Sequence, residues 1–236
     1  MCGRYASSRG AHDLVDAFEV EEPPEEELVP SYNVAPTDPV PVVLVREGTR
    51  RLRVVRWGLV PSWARDRSIA SRLINARVET VADKPAFRRA FAARRCLVPA
   101  DGYFEWYDRQ PHFISPRDGG VLAMAGVYEV WRDRSLPEDD PAALVWTVAV
   151  LTTTAEDALG HLHDRMPLLV EPARYAAWLD PSVADPHALR ALLVPAAPGR
   201  LDSYPVSTEV GNVRNDGPHL VAPLPLTETH EPATLF

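Results

Sequence analysis

The chain predicts an α+β fold dominated by β structure, on three observations. Runs rich in β-branched and aromatic residues recur at 42–45, 52–57, 102–107, 122–131, 145–152 and 167–170, separated by Pro, Gly and Asp, which is the pattern of short strands. Helical stretches are few, at 11–18, 85–93, 155–160, 172–179 and 186–193. No regular strand–helix–strand alternation is present, so a doubly wound parallel sheet is excluded.

Taken in order, 11–18 supplies the first helix, and the acidic, proline-rich stretch 21–30 follows as a surface loop. Residues 42–45 and 52–57 are strands. The helix at 85–93 opens on Pro85, as those at 172–179 and 186–193 open on Pro172 and Pro186; proline suits a first turn because its missing N–H has no partner there anyway. Strands 102–107, 122–131 and 145–152 follow, with a polar loop at 132–141. The short helix 155–160 leads to a strand at 167–170.

A chain of 236 residues, 46% hydrophobic and 25% charged, can bury a full core, and its length fits one domain over 1–236. No apolar run approaches the roughly 18 residues that span a bilayer, and residues 1–10 lack a secretory hydrophobic region. The expected setting is the cytoplasm, with no membrane partner. In that reducing setting the two cysteines, Cys2 and Cys96, form no disulfide framework. Cys96, within Cys96-Leu97-Val98, reads as core. A monomer is expected.

Net charge is -8, but its distribution is uneven. Residues 46–95 hold 13 Arg and Lys84 against four acids, a local excess of ten, while the remainder carries 11 cations against 29 acids. Such asymmetry permits a basic face along a phosphate backbone beside a solubilising acidic remainder. Arg88, Arg89, Arg94 and Arg95 are read instead as solvating helix and strand faces. Because Lys84 is the single lysine, cationic contacts fall to guanidinium groups, which bind phosphate bidentately and stack on bases.

The N-terminus reads Met1-Cys2-Gly3-Arg4-Tyr5. A small second residue favours removal of the initiator, after which Cys2 carries a 1,2-aminothiol. Its thiol and α-amine, with reference pKa values of about 8.5 and about 8, can capture one aldehyde twice. The amine forms a Schiff base and the thiolate closes a five-membered thiazolidine. The alternative is a small residue without chemistry near a chain end.

Other segments set polar groups among apolar ones. Asn75 and Arg77 share a strand face two residues apart; Asn75 either orients an amine or is a turn residue. In Asp101-Gly102-Tyr103-Phe104-Glu105-Trp106 an acid lies between aromatics. Apolar surroundings would raise its pKa into the range of a proton-transfer group, whereas strict alternation turns Glu105 outward, opposite Phe104 and Trp106. In His161-Leu162-His163-Asp164-Arg165-Met166-Pro167, His163 suits a general acid or base and Arg165 a phosphate clamp. The x-His-x spacing comes without CxxC or HExxH, so neither a metal nor a cofactor is expected. Of the tryptophans flanking the 58–62 turn, Trp57 reads as core and Trp63, near Arg65 and Arg67, as a surface for stacking unpaired bases. Residues 32–36 and 213–217 are polar turns able to close a site.

Together, Met1-Cys2-Gly3-Arg4-Tyr5, Tyr32-Asn33-Val34-Ala35-Pro36, Trp57-Gly58-Leu59-Val60-Pro61, Asn75-Ala76-Arg77-Val78-Glu79-Thr80, Gly102-Tyr103-Phe104-Glu105-Trp106, His163-Asp164-Arg165-Met166-Pro167 and Gly211-Asn212-Val213-Arg214-Asn215 resemble, in order, the motifs of the SRAP family, the SOS-response-associated peptidases or abasic-site shielding proteins. The resemblance implies a single domain of mostly antiparallel, barrel-like sheets with flanking helices, beside a cleft for single-stranded DNA. It implies that Cys2 captures the ring-opened aldehyde of an abasic site as a thiazolidine, that Asn75 holds the α-amine, and that Glu105 and His163 move protons. Arg77 and Arg165 would grip phosphates, Arg4 and Thr152 would line the pocket, Asn33 would contact the DNA, and Pro36 with Trp63 would wedge or stack against bases. The polar stretch 64–71 is longer than the pattern requires. Autocatalytic cysteine peptidase activity and plain single-stranded DNA binding are the alternatives. A Met-Cys-Gly start also resembles class II glutamine amidotransferases, whose Thr-His-Gly segment is absent here.

Overall fold

The computed structural model describes residues 3–155, 157–195 and 197–225. Its strands are β1 (Tyr5–Ser7), β2 (Ser31–Val34), β3 (Pro39–Arg46), β4 (Thr49–Trp57), β5 (Asn75–Arg77), β6 (Arg95–Ala100), β7 (Gly102–Tyr107), β8 (Gln110–Pro116), β9 (Leu122–Arg132), β10 (Leu144–Thr154), β11 (Arg165–Pro167) and β12 (Leu201–Pro205). The α-helices are α1 (Ala11–Phe18), α2 (Arg88–Ala93), α3 (Tyr175–Leu179) and α4 (Pro186–Ala191).

Strands β4, β3, β6, β9 and β10 form a closed five-stranded barrel. The ring closes because the long β10 pairs antiparallel with β9 from Leu144↔Arg132 to Val150↔Gly126 and parallel with β4 at Thr147↔Arg56 and Val148↔Trp57. Full closure leaves no edge among these strands. The far end of β10 continues past the ring to pair with β5 and β11. A second, five-stranded sheet runs β12-β8-β7-β1-β2. Most pairings are antiparallel, as expected of the fold class.

Alternation along the barrel strands separates two cores. Val43, Leu97, Val127, Ala149 and Leu151 face outward, where Leu14 and Phe18 of α1, Phe91 of α2 and Trp178 of α3 cover them. Val42, Leu44, Cys96, Val98, Met124, Val148 and Val150 face the interior, which continues to Tyr5, Tyr103 and Ile114 of the second sheet. Cys96 is fully buried there, as its apolar setting predicted, and burial pushes its thiol far up. The outer face of the second sheet is covered by Val206, Val210 and Leu220, which pack on Ala6, Phe104 and Phe113.

The helix at 11–18 has the predicted limits. The predicted helix 85–93 begins at Arg88, 172–179 divides into a 3-10 turn at Pro172–Arg174 and α3, and 155–160 is a 3-10 turn at Asp157–His161. These segments are too short to meet the cost of helix nucleation unaided. Beyond β11, Leu168 and Val170 cross to bond Ala125 and Ala123 of β9. The long 64–71 stretch folds back on β9: Trp131 Nε1 donates to Ala64 O at 2.8 Å, and Arg67 pairs with Asp133 at 2.6 Å.

Arg95 corrects the reading that it solvates a surface. It is buried, with its guanidinium donating to the carbonyls of Phe91, Ala92, Trp178 and Asp180. It thereby caps the C-terminal ends of α2 and α3, where carbonyls lack intrahelical partners. Arg95→Ala is expected to destabilise the fold by about 3 kcal/mol or more, since buried carbonyls lose charged donors; urea unfolding followed by circular dichroism reads this out.

Gly58 follows β4 at φ 113°, and a Cβ there would lie 2.7 Å from Ala70 O. Gly58→Ala therefore combines a disfavoured backbone with a main-chain clash. An expected loss of about 2 kcal/mol, with a matching fall in the urea midpoint at unchanged slope, would be measured in the same way.

Candidate active site

Both sheets contribute to the site. On the barrel side, the short β5 is held by parallel pairing with β10, Asn75 opposite Val150 and Arg77 opposite Thr152. The approach to β5 is pinned by buried Trp57, whose Nε1 donates to Ile74 O at 2.9 Å. Trp57 also meets Tyr5 edge-on at a ring distance of 5.2 Å, joining the two sheets. Trp57 is thus core, as its sequence context suggested. Asn75 is half-buried, Arg77 exposed and Thr152 fully buried.

On the opposite side, β1 pairs with β7 at Tyr5↔Tyr103 and Ala6↔Gly102, and Phe104 N–H donates to Arg4 O at 2.9 Å. This antiparallel register carries Gly3 alongside Glu105. Cys2 lies outside the described residues.

Glu105 is 4% exposed, which corrects the outward orientation that alternation alone predicts. Phe104, facing the other way, packs on Phe113 beneath the C-terminal segment, so β7 is covered on both faces and Glu105 points into the space between the sheets. Trp106, expected to pack inward beside Phe104, is 37% exposed at the strand end. Burial raises the Glu105 carboxyl above the usual carboxylate range; His163 opposes this and Asp164 reinforces it. The elevation therefore comes from placement in the cleft.

Directly across the β7–β8 ladder from Glu105 stands His112, which sequence reasoning passed over. Burial, helped by His161, holds its imidazole below the usual range. Only the strand register could have found it, since 110–116 carries no run of β-branched residues. Exposed Tyr107 adds an aromatic ring beside His161.

Arg4 and Asn33 come together as a clamp on the returning chain. Arg4 Nη1 donates to Asn33 Oδ1 and Val210 O, both at 2.7 Å, while Asn33 Nδ2 donates to Asn212 O at 3.1 Å and Asn215 O at 2.8 Å. Tyr32 N–H donates to Asp216 Oδ1 at 2.6 Å. The two polar turns that looked able to close a site are thus bonded to each other, leaving Val213 and Arg214 exposed between them. Pro36 is half-buried in a turn that Thr37, at φ 81°, fastens to β4 through Thr37 N–H to Trp57 O at 2.9 Å.

Trp63, directly after the 58–62 turn, is 55% exposed, with its Nε1 3.5 Å from Pro85 O. Arg165 opens β11 and is held from within the protein: its Nη1 donates to Glu79 Oε1 at 2.6 Å and its Nη2 to Glu79 Oε2 at 3.1 Å and to Thr152 O. Its main-chain N–H donates to His163 Nδ1 at 2.9 Å. Glu79 is the partner that sequence reading did not connect with Arg165, 86 residues away.

Among the described residues no group of three or more His, Cys, Asp or Glu is arranged to hold a metal ion, and no helix is long and apolar enough to cross a membrane. The arrangement offers a protonatable carboxyl shielded from water, an oriented imidazole and an exposed guanidinium at one rim, a set suited to proton transfer beside an anionic substrate.

Known proteins resemble the chain over nearly its whole length. The family model for SOS response associated peptidase (SRAP) matches residues 1–213. The chain is 35% identical over 227 residues to the abasic site processing protein YoqW of Bacillus subtilis (strain 168), covering 94% of this chain and 99% of YoqW. It is 33% identical over 233 residues to the abasic site processing protein YedK of Escherichia coli (strain K12), covering 95% of this chain and all of YedK. A crystal structure of a protein from Bacteroides thetaiotaomicron shares the fold, with a TM-score of 0.82 over 94% of this chain and 100% of that one, at 24% identity. The chain belongs to the SRAP family.

Proposed function

We propose that this protein processes abasic sites in single-stranded DNA by covalent capture through Cys2 once Met1 has been removed. One observation carries the reading: the β1–β7 register sets Gly3 beside Glu105, whose carboxyl burial pushes above the usual carboxylate range. Cys2 is bonded to Gly3, so about 3.8 Å of chain separates their Cα atoms. The names of the relatives, abasic site processing proteins, support the substrate class.

In this mechanism the neutral α-amine of Cys2 adds to the C1′ aldehyde of the ring-opened abasic sugar. Glu105 gives its proton to the departing hydroxyl, which leaves as water, and an iminium forms. The Cys2 thiol loses its proton to the Glu105 carboxylate as sulfur attacks C1′, closing the thiazolidine and returning Glu105 to its acid form. The ring nitrogen keeps its remaining proton, and the net reaction releases one water. Asn75 orients the amine, and His163 donates a hydrogen bond to a sugar or phosphate oxygen. Arg77 contacts a backbone phosphate; Arg4, Asn33 and Thr152 shape the pocket wall, and Pro36 with Trp63 meets the flanking bases.

Intact mass before and after incubation with a single-stranded oligonucleotide bearing one abasic site tests this. The expected result is a protein lacking Met1 that gains a denaturant-stable adduct with abasic but not with undamaged DNA. Retained Met1, or DNA binding without an adduct, rejects the proposal.

A further inference from the structure

The Arg165 guanidinium was expected to grip phosphate, yet both of its Nη nitrogens are already committed. Nη1 faces Glu79 Oε1 at 2.6 Å and Thr154 Oγ1 at 3.4 Å, Nη2 faces Glu79 Oε2 at 3.1 Å and Thr152 O, and Nε is buried. The Arg165 side chain is only 11% exposed. A phosphate could use this fork only by displacing a carboxylate that already fills it bidentately. Glu79 follows β5 and Arg165 begins β11, so the pair ties the two short strands flanking the end of β10.

The backbone of the same Arg165 donates to His163 Nδ1. A main-chain N–H can only donate, so Nδ1 must present its lone pair and the neutral ring must carry its proton on Nε2. Asp164 Oδ1 also lies 2.9 Å from Nδ1, a contact that would require a proton on that nitrogen. Asp164 is 86% exposed, where a charge pair is worth little, so the main-chain donor prevails.

We infer that Glu79 is a positioning residue for His163: its two-pronged hold on the Arg165 guanidinium fixes the main-chain N–H that keeps His163 in the Nε2–H form, a hydrogen-bond donor to substrate oxygen. Arg165 is accordingly a strut in the site. The inference rests on the proposed role of His163 in capture. It extends to the attachment of Glu79, ionised because Arg165 holds its carboxyl below the usual range.

The test is Glu79→Gln in the full chain, which keeps size and one acceptor but loses the charged fork, with Arg165→Lys as a second variant that keeps the main-chain N–H and the charge. Long-range proton–nitrogen spectra of nitrogen-15 histidine-labelled protein should show His163 as the Nε2–H tautomer in the wild type and as a mixture in both variants. Single-turnover capture at saturating abasic oligonucleotide should fall about 10-fold, in line with the cost of a misplaced catalytic group, while affinity for undamaged strand, measured in a Cys2→Ala background, stays within about twofold.

Tighter binding of undamaged strand by Glu79→Gln, with a steeper salt dependence, would instead identify Arg165 as a phosphate clamp restrained by Glu79 and overturn the inference. An Nδ1–H tautomer in the wild type overturns it without any variant, as does a variant with unchanged tautomer and rate. If the wild type makes no adduct, the capture reading fails, whereas the tautomer measurement still decides the geometry.

Discussion

Cys2→Ala is expected to abolish the denaturant-stable adduct with abasic single-stranded DNA while leaving non-covalent binding of the strand nearly unchanged. Alanine keeps the α-amine, so a Schiff base can still form, but it has no sulfur to close the ring. An imine hydrolyses reversibly, whereas the thiazolidine ties C1′ through two bonds to one residue. The variant should therefore show an adduct only after borohydride trapping, and its complex should dissociate with rising salt as phosphate contacts are screened. The wild-type adduct should persist in high salt and in denaturant. A salt-resistant, untrapped adduct in Cys2→Ala would place the nucleophile elsewhere.

Glu105→Gln is expected to slow capture by about 10²- to 10⁴-fold, the usual range for losing a general acid–base group, with little change in affinity for undamaged DNA. Glutamine retains the shape and hydrogen-bonding ends of the acid but cannot carry a proton to the hydroxyl or take one from the thiol. The same variant has a stability signature of opposite sign. Burial raises the folded-state pKa of Glu105 above its unfolded value, so the folded protein binds more protons there. Its stabilising contribution is complete below the unfolded value near 4.3 and is lost as pH rises through the raised folded value. Thermal melts should thus show Glu105→Gln gaining on the wild type as pH increases from about 4 to 8. Equal melting differences at both ends of that range would mean that Glu105 ionises in the fold as it does in water. A variant both slower and more stable at neutral pH is the mark of a strained functional group.

The basic segment illustrates how a charge count becomes a surface. Its excess of ten cations suggested a broad face for phosphate, but the fold draws acids from elsewhere onto many of them. Arg50 meets Glu19 at 3.0 Å, Arg51 meets Glu22 at 3.0 Å, Arg67 meets Asp133 and Arg94 meets Glu129 at 2.8 Å. Arg95 is buried altogether. The exposed guanidinium at the rim of the cleft is Arg77, at the end of β5. Net charge along the chain could not reveal this, because ion pairs across 29 to 66 positions depend on which strands become neighbours.

Much was nevertheless legible from the amino acids alone. Composition and turn residues determined a β-rich α+β fold, since β-branched runs between Pro and Gly admit few other outcomes. Helix α1 could be delimited because it is amphipathic, burying Leu14 and Phe18, whereas β1, β2, β8 and β12, short and rich in polar residues, have no such signature and exist through their neighbours. Seven motifs in order identified the family, and Cys2 stood out because its chemistry is local, two nucleophiles on one residue. The tertiary structure alone decided the remainder: that β7 is covered on both faces, so that Glu105 is buried where alternation turns it toward water; and that Glu79 fills the fork of Arg165. A strand's period of two tells which residues share a face. What covers that face, and with which charge, is settled only when a second layer packs against it.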